Sequence, residues 1–284
     1  MLDVLRAGPL TTVQDLGRTG LAHLGIPRSG ALDQPALTLA NRLVGNPEDL
    51  AGLEITWSGC ELRFHCAAVF AVTGAPAPIR LDRRPVPFGV PVAARSGAAL
   101  RIGAPVHGVR TYLAVAGGIA VPPVLGSRSH DTLSGLGPPP LRDGDRLPLG
   151  DPVGLPGPVH FTPLSAPPDP VVVRVRLGPR DDWFTEDAIR TLLTCEYQVS
   201  PVSNRVGARL VGPALDRARP GELPSEGLVL GAVQVPADGA PLVFLADHPT
   251  TGGYPVIAVV EPADLPLFAQ ARPGTTLRFR GPQR

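Results

Sequence analysis

Residues 241–260 read PLVFLADHPTTGGYPVIAVV, and this stretch decides the fold class of the chain. Two short apolar runs, Leu242–Ala246 and Val256–Val260, flank a polar loop. Short runs rich in branched residues are typical of strands that are buried on both faces. The loop carries an acid, an imidazole, hydroxyls and a phenol, and its Gly252-Gly253 pair allows close approach to the backbone. Such a loop suits a binding site, but glycine pairs also mark ordinary turns.

The same pattern of short apolar runs broken by Gly and Pro extends in both directions. It predicts strands at 3–5, 53–57, 61–65, 68–73, 79–81, 99–102, 110–115, 171–177 and 275–280. Helical spacing predicts three helices, at 34–44, 185–194 and 262–270. The first has Asp33 as its N-cap and Gly45 as its stop. The second has Thr185 as its cap and buries Ile189, Leu192 and Leu193. Asp143-Gly144-Asp145 predicts a hairpin turn. Many short strands with few helices predict a mainly β fold, either barrel or sandwich.

The segment Pro152–Pro170 is rich in proline and poor in pattern, so it is the candidate linker. It would separate a β-rich domain at 1–165 from a second at 171–284. Two short repeated motifs give weak support for two similar β units. They are Arg-x-Gly-x4-Gly at 18–25 and 205–212, and Leu-Arg-Phe at 62–64 and 277–279.

Composition narrows the classes of function. The 284 residues are 43% hydrophobic, which predicts a folded chain despite 33 Gly and 36 Pro. A net charge of +1 gives no sign of a nucleic-acid or membrane partner. All 26 basic residues are arginine, which excludes a biotinylated lysine, a Schiff base and a lysine-bearing phosphate loop. Any anion must therefore be held by arginine, backbone amides or hydroxyls.

Three cysteines, Cys60, Cys66 and Cys195, form no CxxC pair and leave one over. They are interpreted as free thiols without a catalytic role in a cytoplasmic protein. The first 20 residues contain no long apolar segment, so no signal peptide is expected, and no run approaches membrane-spanning length. No group of residues has the spacing of metal ligands.

Two segments have the composition of an anion site. Arg28 and Ser29 precede the helix that starts near Asp33, where an anion would meet free amides and the positive end of the helix dipole. The Gly-Ser-Arg-Ser turn at 126–129 could hold an oxyanion, but its composition is common in surface turns, and that interpretation is favoured.

Many motifs along the chain resemble one family. They are TVQDLGR at 12–18, PRSGALD at 27–33, ANRLVGN at 40–46, LE at 53–54, YLAVAGG at 112–118, LGSRS at 125–129, SNRVG at 203–207, SEG at 225–227, QVPADG at 234–239, TTGGYP at 250–255 and QARPG at 270–274. In this order they resemble the allophanate hydrolase subunit 2 family. That family is also described as the C subunit of 5-oxoprolinase, as biotin-dependent carboxyltransferase-like, and as antagonist of a sporulation-kinase inhibitor.

The resemblance implies cyclophilin-like β-barrels and a partner of the allophanate hydrolase subunit 1 type, the B-type subunit. For bacterial 5-oxoprolinases it implies ATP-dependent opening of the lactam 5-oxoproline to glutamate, together with a third protein, the A-type subunit. In urea carboxylases a related region transfers carboxyl from biotin to urea. Three hypotheses stay open: a component of 5-oxoprolinase, a carboxyltransferase that acts on carboxybiotin carried by another protein, and a regulator that binds a kinase inhibitor.

The 5-oxoprolinase hypothesis has a clear chemical logic. A lactam is a poor electrophile until its oxygen is phosphorylated, and that step needs cationic donors and a group for the substrate carboxylate. The candidates for binding the substrate are Arg28, Ser29, Asn204 and Arg205, and the candidate for binding ATP, with or without Mg²⁺, is Arg128. Asp247 could act as a base or as a metal ligand, and Tyr254 could donate a hydrogen bond to an oxyanion. With no phosphate loop, ATP would be bound in another way, such as across the partner interface.

Each candidate also has a structural alternative. Arg18 and Arg205 could brace turns, Asn204 could be a turn residue in the left-handed region, and Gln14 and Gln270 could satisfy buried backbone groups. The loop after Leu242–Ala246 and the turn Pro27–Asp33 are expected to face one shared cleft.

Overall fold

The computed structural model describes residues 1–157, 162–163 and 168–281. The chain divides into two compact units. Unit 1 comprises Met1–Arg18, Ser29–Asp131 and Gly135–Ala166, and unit 2 comprises Thr19–Arg28, Thr132–Ser134 and Pro167–Arg284. Two short segments from the first half of the sequence thus belong to unit 2. The predicted linker Pro152–Pro170 lies partly outside the described residues, and the domain boundaries at 165 and 171 stay predictions.

In the part of it that the structure describes, unit 1 contains two antiparallel sheets and one helix. Its strands are β1 Leu2–Arg6, β2 Leu10–Gln14, β3 Gly52–Thr56, β4 Glu61–Phe64, β5 Ala68–Gly74, β6 Ile79–Leu81, β7 Arg84–Val86, β8 Val92–Ala94, β9 Ala99–Ile102, β10 Arg110–Val115 and β11 Arg146–Leu147. Six of them pair in the order β11-β1-β4-β9-β6-β7, and five in the order β2-β3-β10-β5-β8. Alternate side chains of both sheets, such as Phe64, Leu100 and Leu113, form the core of this unit.

The helix of unit 1, α1 at Gln34–Leu43, confirms its sequence prediction. The Asp33 side chain accepts a hydrogen bond from the Ala36 amide at 3.1 Å, as an N-cap should. Pro35 occupies the first turn, and Gly45 follows the end with a φ of 77°. The apolar side of α1 packs against β5 and β10, so the segment before Asp33 is held at a fixed place.

Unit 2 is built around a closed β-barrel. Its strands are β12 Val171–Leu177, β13 Glu196–Val199, β14 Gly207–Val211, β15 Glu226–Gly227, β16 Ala232–Gln234, β17 Leu242–Phe244, β18 Thr251–Gly252, β19 Val256–Val260 and β20 Thr276–Arg280. Seven close in the order β12-β19-β16-β17-β14-β13-β20, and β15 pairs with β18. The helices are α2 Glu186–Thr194 and α3 Leu265–Gln270, with 3-10 turns at Ala22–Leu24, Asp181–Trp183 and Pro262–Asp264. The mainly β prediction with barrel and few helices is therefore confirmed.

Several local predictions need correction. The turn at 143–145 forms, but it closes no hairpin, because the strand that follows it, β11, pairs with β1. The predicted helix at 262–270 is a 3-10 turn followed by α3. On α2 the buried residues are Ala188 and Leu192, whereas Ile189 and Leu193 are only partly buried.

Of the two repeated motifs, one has the same structure in both places and the other does not. Gly207 begins β14, whereas Gly20 lies in a turn with a φ of 84°, so the Arg-x-Gly-x4-Gly segments are not structurally equivalent. The Leu-Arg-Phe segments do match, since both lie in strands with leucine and phenylalanine buried and arginine exposed. Within the described residues no helix has the length and apolar character needed to cross a membrane.

Candidate functional site

In unit 2, Asp247 follows the strand β17 and forms a buried ion pair with Arg205. Arg205 Nε donates to Asp247 Oδ2 at 2.8 Å, and Nη2 donates to Oδ1 at 2.9 Å. The two side chains are 2% and 0% exposed. The amide and hydroxyl of Thr132 also donate to Oδ2, at 2.9 and 2.7 Å. This carboxylate therefore accepts at least four hydrogen bonds and joins three separate parts of the chain.

The electrostatics of this pair favour a structural role. Burial alone would raise the pKa of Asp247, but the charge and hydrogen bonds of Arg205 and the bonds from Thr132 outweigh it, so the pKa lies below its ordinary value of 3.8. A carboxylate that is held ionised and saturated with donors is a poor proton acceptor. The geometry thus supports the bracing alternative for Arg205, and the roles predicted for both residues in substrate binding and proton transfer stay predictions.

Asn204 initiates the strand β14. Its side-chain Oδ1 accepts hydrogen bonds from the amides of Val206 at 2.8 Å and Gly207 at 3.3 Å. Among the described residues the non-glycine positions with positive φ are Ser29, Trp57, Asp82, Arg83 and Leu125, so Asn204 is a turn residue without left-handed geometry. Its predicted contact with substrate stays a prediction.

Tyr254, the predicted oxyanion donor, presents its ring at the surface of unit 2 and is 38% exposed. The guanidinium carbon of Arg217 lies 5.8 Å from the centre of this ring, a cation–π contact. Arg217 is itself held by carbonyl groups, since Nη2 donates to Val235 at 2.8 Å and Nη1 to Gly221 at 3.1 Å. The buried Gln234 donates to the Tyr254 carbonyl at 3.0 Å. An accessible phenol on a held ring is well placed to meet a ligand.

In unit 1 the Gly-Ser-Arg-Ser turn does bind an anion, but this anion is the side chain of Asp15. The hydroxyls of Ser127 and Ser129 donate to Asp15 Oδ1 at 2.6 and 2.5 Å, and the Arg128 amide donates to Oδ2 at 2.6 Å. The Gly17 amide adds a bond of 2.8 Å to Oδ1. Because these donors already hold a carboxylate, the turn does not fit a phosphate of ATP.

The guanidinium of Arg128 is the predicted contact for ATP. Its Nε donates to the carbonyl of Val121 at 2.7 Å, which ties the side chain to its own loop. Arg18 braces the same region, in agreement with its structural alternative: its Nε donates to the Val124 carbonyl at 3.0 Å and its Nη2 to the Ser129 carbonyl at 2.5 Å. The role of Arg128 toward ATP stays a prediction.

The turn that precedes α1 is strained and tightly held. Ser29 has a φ of 54°, is 1% exposed, and donates its hydroxyl to the His130 carbonyl at 3.0 Å. Its hydroxyl is thus engaged, and its predicted contact with substrate stays a prediction. Arg28 belongs to unit 2 and is half-buried, and its buried Nε has no hydrogen-bond partner among the residues the structure describes. The cleft expected to join this turn and the loop of Asp247 also stays a prediction.

A buried pair that the sequence does not reveal, Glu54 and Tyr112, fixes the same turn. The Tyr112 hydroxyl donates to Glu54 Oε2 at 2.8 Å and accepts from the Asp33 amide at 2.8 Å. The Leu32 amide donates to Glu54 Oε2 at 2.9 Å, and Arg110 Nε lies 3.4 Å from Oε1. Burial, followed by the charge of Glu54, raises the pKa of Tyr112 well above its ordinary value of 10.0. A sequence signal for this pair is the presence of Glu54 in the mostly apolar strand β3, because a buried glutamate needs hydrogen-bond partners.

The remaining reactive groups are the metal-ligating side chains and the thiols. Within the described ranges no three His, Cys, Asp or Glu residues group together in a way that could hold a metal ion. Cys60, Cys66 and Cys195 are free thiols, as predicted, whereas their expected lack of a catalytic role stays a prediction. Burial raises the pKa of Cys60 to about 12, so this thiol is unreactive near neutral pH.

Comparison with known proteins identifies the family of this chain. Residues 24–281 match the family described as "Carboxyltransferase domain, subdomain A and B". The chain belongs to this family. The C subunit of the Escherichia coli 5-oxoprolinase is 42% identical over 98% of this chain and 90% of its own length. The resemblance found in the sequence is thereby confirmed.

Larger members of the carboxyltransferase family contain the same fold. The urea amidolyase of Saccharomyces cerevisiae is 33% identical over 98% of this chain but only 16% of its own length. The crystal structure of the K. lactis urea amidolyase superposes with a TM-score of 0.89 at 33% identity, over 98% of this chain and 18% of that one. The chain thus corresponds to less than a fifth of those proteins.

Proposed function

We propose that this chain is the C subunit of an ATP-dependent 5-oxoprolinase and acts with the B-type partner and the A-type subunit. The observation that carries the proposal is the match to the C subunit of the E. coli 5-oxoprolinase, which extends over 98% of this chain and 90% of the relative. The urea amidolyases, in contrast, devote most of their length to other segments. A chain that matches nearly the whole of such a relative suits one component of an assembled enzyme.

The arrangement of polar groups supports a need for a partner. The carboxylate of Asp247 is occupied by Arg205, and the donors of the 126–129 turn are occupied by Asp15. No phosphate-binding loop is present in the sequence. We therefore place ATP, with or without Mg²⁺, at or near the interface with the B-type partner, which supplies the groups that this chain lacks.

Two residues of unit 2 retain suitable chemistry for 5-oxoproline. Arg28 can offer a planar, two-pronged contact to the substrate carboxylate. Tyr254 can donate to the lactam oxygen as negative charge develops there, which stabilises the transition state more than the ground state. In this proposal the chain orients the lactam and stabilises charge, while Asp247 and Arg205 hold the loop that leads to Tyr254.

A carboxyltransferase is the second candidate, and one observation favours it. The fold superposes over 98% of the chain on the K. lactis urea amidolyase. Since this chain contains no lysine, it carries no covalently attached biotin, and any carboxybiotin would come from another protein.

Reconstitution distinguishes the two candidates. The chain is mixed with the A-type and B-type proteins, and ATP hydrolysis is measured with and without 5-oxoproline. A parallel reaction offers carboxybiotin on a carrier protein, with urea as acceptor. The proposal predicts that the complex hydrolyses ATP in a 5-oxoproline-dependent manner and that the isolated chain does not hydrolyse ATP. Carboxyl transfer to urea without any response to 5-oxoproline would establish the second candidate instead.

A further inference from the structure

The outward side of the six-stranded sheet of unit 1 carries a groove with excess positive charge. Its volume is about 930 Å³. The charged residues that line it, here called the basic groove, are Arg80, Arg83, Arg95, Arg101, Glu61 and Asp82. Four arginines against two carboxylates leave a surplus of two positive charges in a chain whose total is only +1. All four arginines are exposed, with the Arg101 side chain at 64%.

Two arginines of this groove directly oppose each other. The strand register aligns Arg6, Glu61, Arg101 and Arg80 in one row across β1, β4, β9 and β6. Opposite residues of an antiparallel pair have Cβ atoms roughly 4.5–5.5 Å apart, and like charges there are destabilising. Glu61 lies between Arg6 and Arg101 and balances part of the charge, with a 3.2 Å ion pair to Arg101. Arg80 faces Arg101 on one side and Pro85 of β7 on the other, so neither neighbouring strand places a carboxylate opposite Arg80.

Of the two remaining arginines, Arg83 adds to this imbalance, whereas Arg95 is paired with Asp82. Arg83 has a φ of 68° and follows Asp82, which also has positive φ, so the two residues form a tight turn between β6 and β7. Asp82 is already engaged, since it pairs with Arg95 at 3.0 Å and accepts from the Ala99 amide at 3.0 Å. The carboxylates in the groove are therefore committed, and an external anion would relieve the Arg80–Arg101 repulsion.

The chemistry of the groove indicates which anion. Glu61 and Asp82 are paired with Arg101 and Arg95, so the groove offers separately placed cations to the carboxylates of a folded protein surface and no continuous positive track for a chain of phosphates. Arginine is enriched in protein interfaces because its planar group binds carboxylates in two-pronged fashion and its stem adds apolar contact. Leu5 and Pro78 supply further apolar lining. We propose that the basic groove docks a carboxylate-rich surface of the B-type partner, an inference that rests on the proposed function.

Charge variants of the full chain test this docking. Arg80→Gln/Arg101→Gln removes the opposed charges, and Arg80→Glu/Arg101→Glu reverses them. The matched control, Arg209→Glu/Arg280→Glu, makes the same reversal at two exposed strand residues of unit 2. The association rate with the B-type protein is measured at low and high salt, and melting temperatures verify folding. We expect the rate at low salt to fall about tenfold or more in both groove variants and to stay near wild type in the control.

The outcomes separate the docking from the proposed function. If the wild-type chain binds the partner and both groove variants bind it equally fast at each salt concentration, the docking proposal is wrong. If the wild-type chain does not bind the partner, the proposed function is contradicted, and a synthetic glutamate-rich peptide becomes the probe. Peptide binding that Arg80→Gln/Arg101→Gln abolishes then supports an acidic protein ligand. No peptide binding, or stronger binding of a single-stranded oligonucleotide, overturns it.

Discussion

Arg205 and Asp247 form a two-pronged ion pair, with Nε–Oδ2 and Nη2–Oδ1 distances of 2.8 and 2.9 Å, at a site closed to solvent. A buried ion pair is retained only when its geometry is good and its remaining hydrogen-bonding groups are satisfied. Thr132 meets that requirement with two donors to the same carboxylate. The pair thus connects the loop before β14, the loop after β17 and the segment 132–134 within unit 2.

Asp247→Asn should destabilise the protein strongly. It leaves the Arg205 charge buried without its counter-charge, so the free energy of unfolding should fall by about 3–5 kcal/mol. Chemical denaturation of the full chain measures this. Asp49→Asn, at an exposed carboxylate, is the control and should behave as wild type. An Asn variant at 247 as stable as the control would mean that the pair contributes nothing to folding.

The same pair predicts a pH dependence. The folded-state pKa of Asp247 lies below its ordinary value of 3.8, so its contribution is fully present above that value and is lost as the pH falls through the folded pKa. Unfolding free energies of wild type and Asp247→Asn should therefore converge as the pH drops below about 4. A gap between the two proteins that widens on acidification would contradict the sign of this shift.

Tyr112→Phe should destabilise the turn before α1. The variant leaves the Asp33 amide without its acceptor and removes a donor from buried Glu54. A loss of about 1–3 kcal/mol in the free energy of unfolding is expected. Tyr254→Phe removes the same atom from an exposed ring and serves as the matched control, with little change. Equal stability of the two variants would show that the buried hydroxyl is dispensable.

Tyr254→Phe should instead affect turnover. The ring and its contact with Arg217 are kept, so the melting temperature should stay near wild type. If the hydroxyl donates to developing charge on the lactam oxygen, turnover by the full complex should fall on the order of 10²–10³-fold. Near-normal turnover of this variant would remove Tyr254 from the proposed chemistry.

Arg28→Lys separates charge from geometry. Lysine keeps the positive charge but cannot make a planar, two-pronged contact, so turnover should fall while folding is unaffected. The comparison to make is 5-oxoproline-dependent turnover against melting temperature in the complex. A parallel loss of both would assign Arg28 to structure, and unchanged turnover would assign the substrate carboxylate to another group.

The elements that can be predicted are those whose causes are local. Val256–Val260 and Val171–Leu177 carry enough branched residues to specify strands, and Asp33, Pro35 and Gly45 define α1. The strand β2 escapes prediction because Leu10–Gln14 is largely polar. Its polar groups are buried through remote partners, as when Gln14 donates to the His130 carbonyl at 2.9 Å. Such pairing depends on the tertiary fold, and a single sequence does not reveal it.

For the candidate site, composition identifies residue types but not their partners. The turn at 126–129 has the composition of an anion binder, yet its anion, Asp15, lies more than a hundred residues earlier in the chain. Arg205 and Asp247 are both candidates by residue type, but nothing in the sequence predicts their direct pairing. The sequence thus shows which residues can donate or accept a hydrogen bond. It does not show which of these groups already have a partner within the protein, because those partners come from distant segments of the chain.

We propose that this chain is a component of 5-oxoprolinase that works only in a complex. The most direct measurement is phosphate release from ATP, with and without 5-oxoproline, by the chain alone, by the partner proteins alone and by all of them together. We predict 5-oxoproline-dependent release only when the chain and its partners are combined. Equal release by the partners without this chain, or robust release by the chain alone, would contradict the proposal.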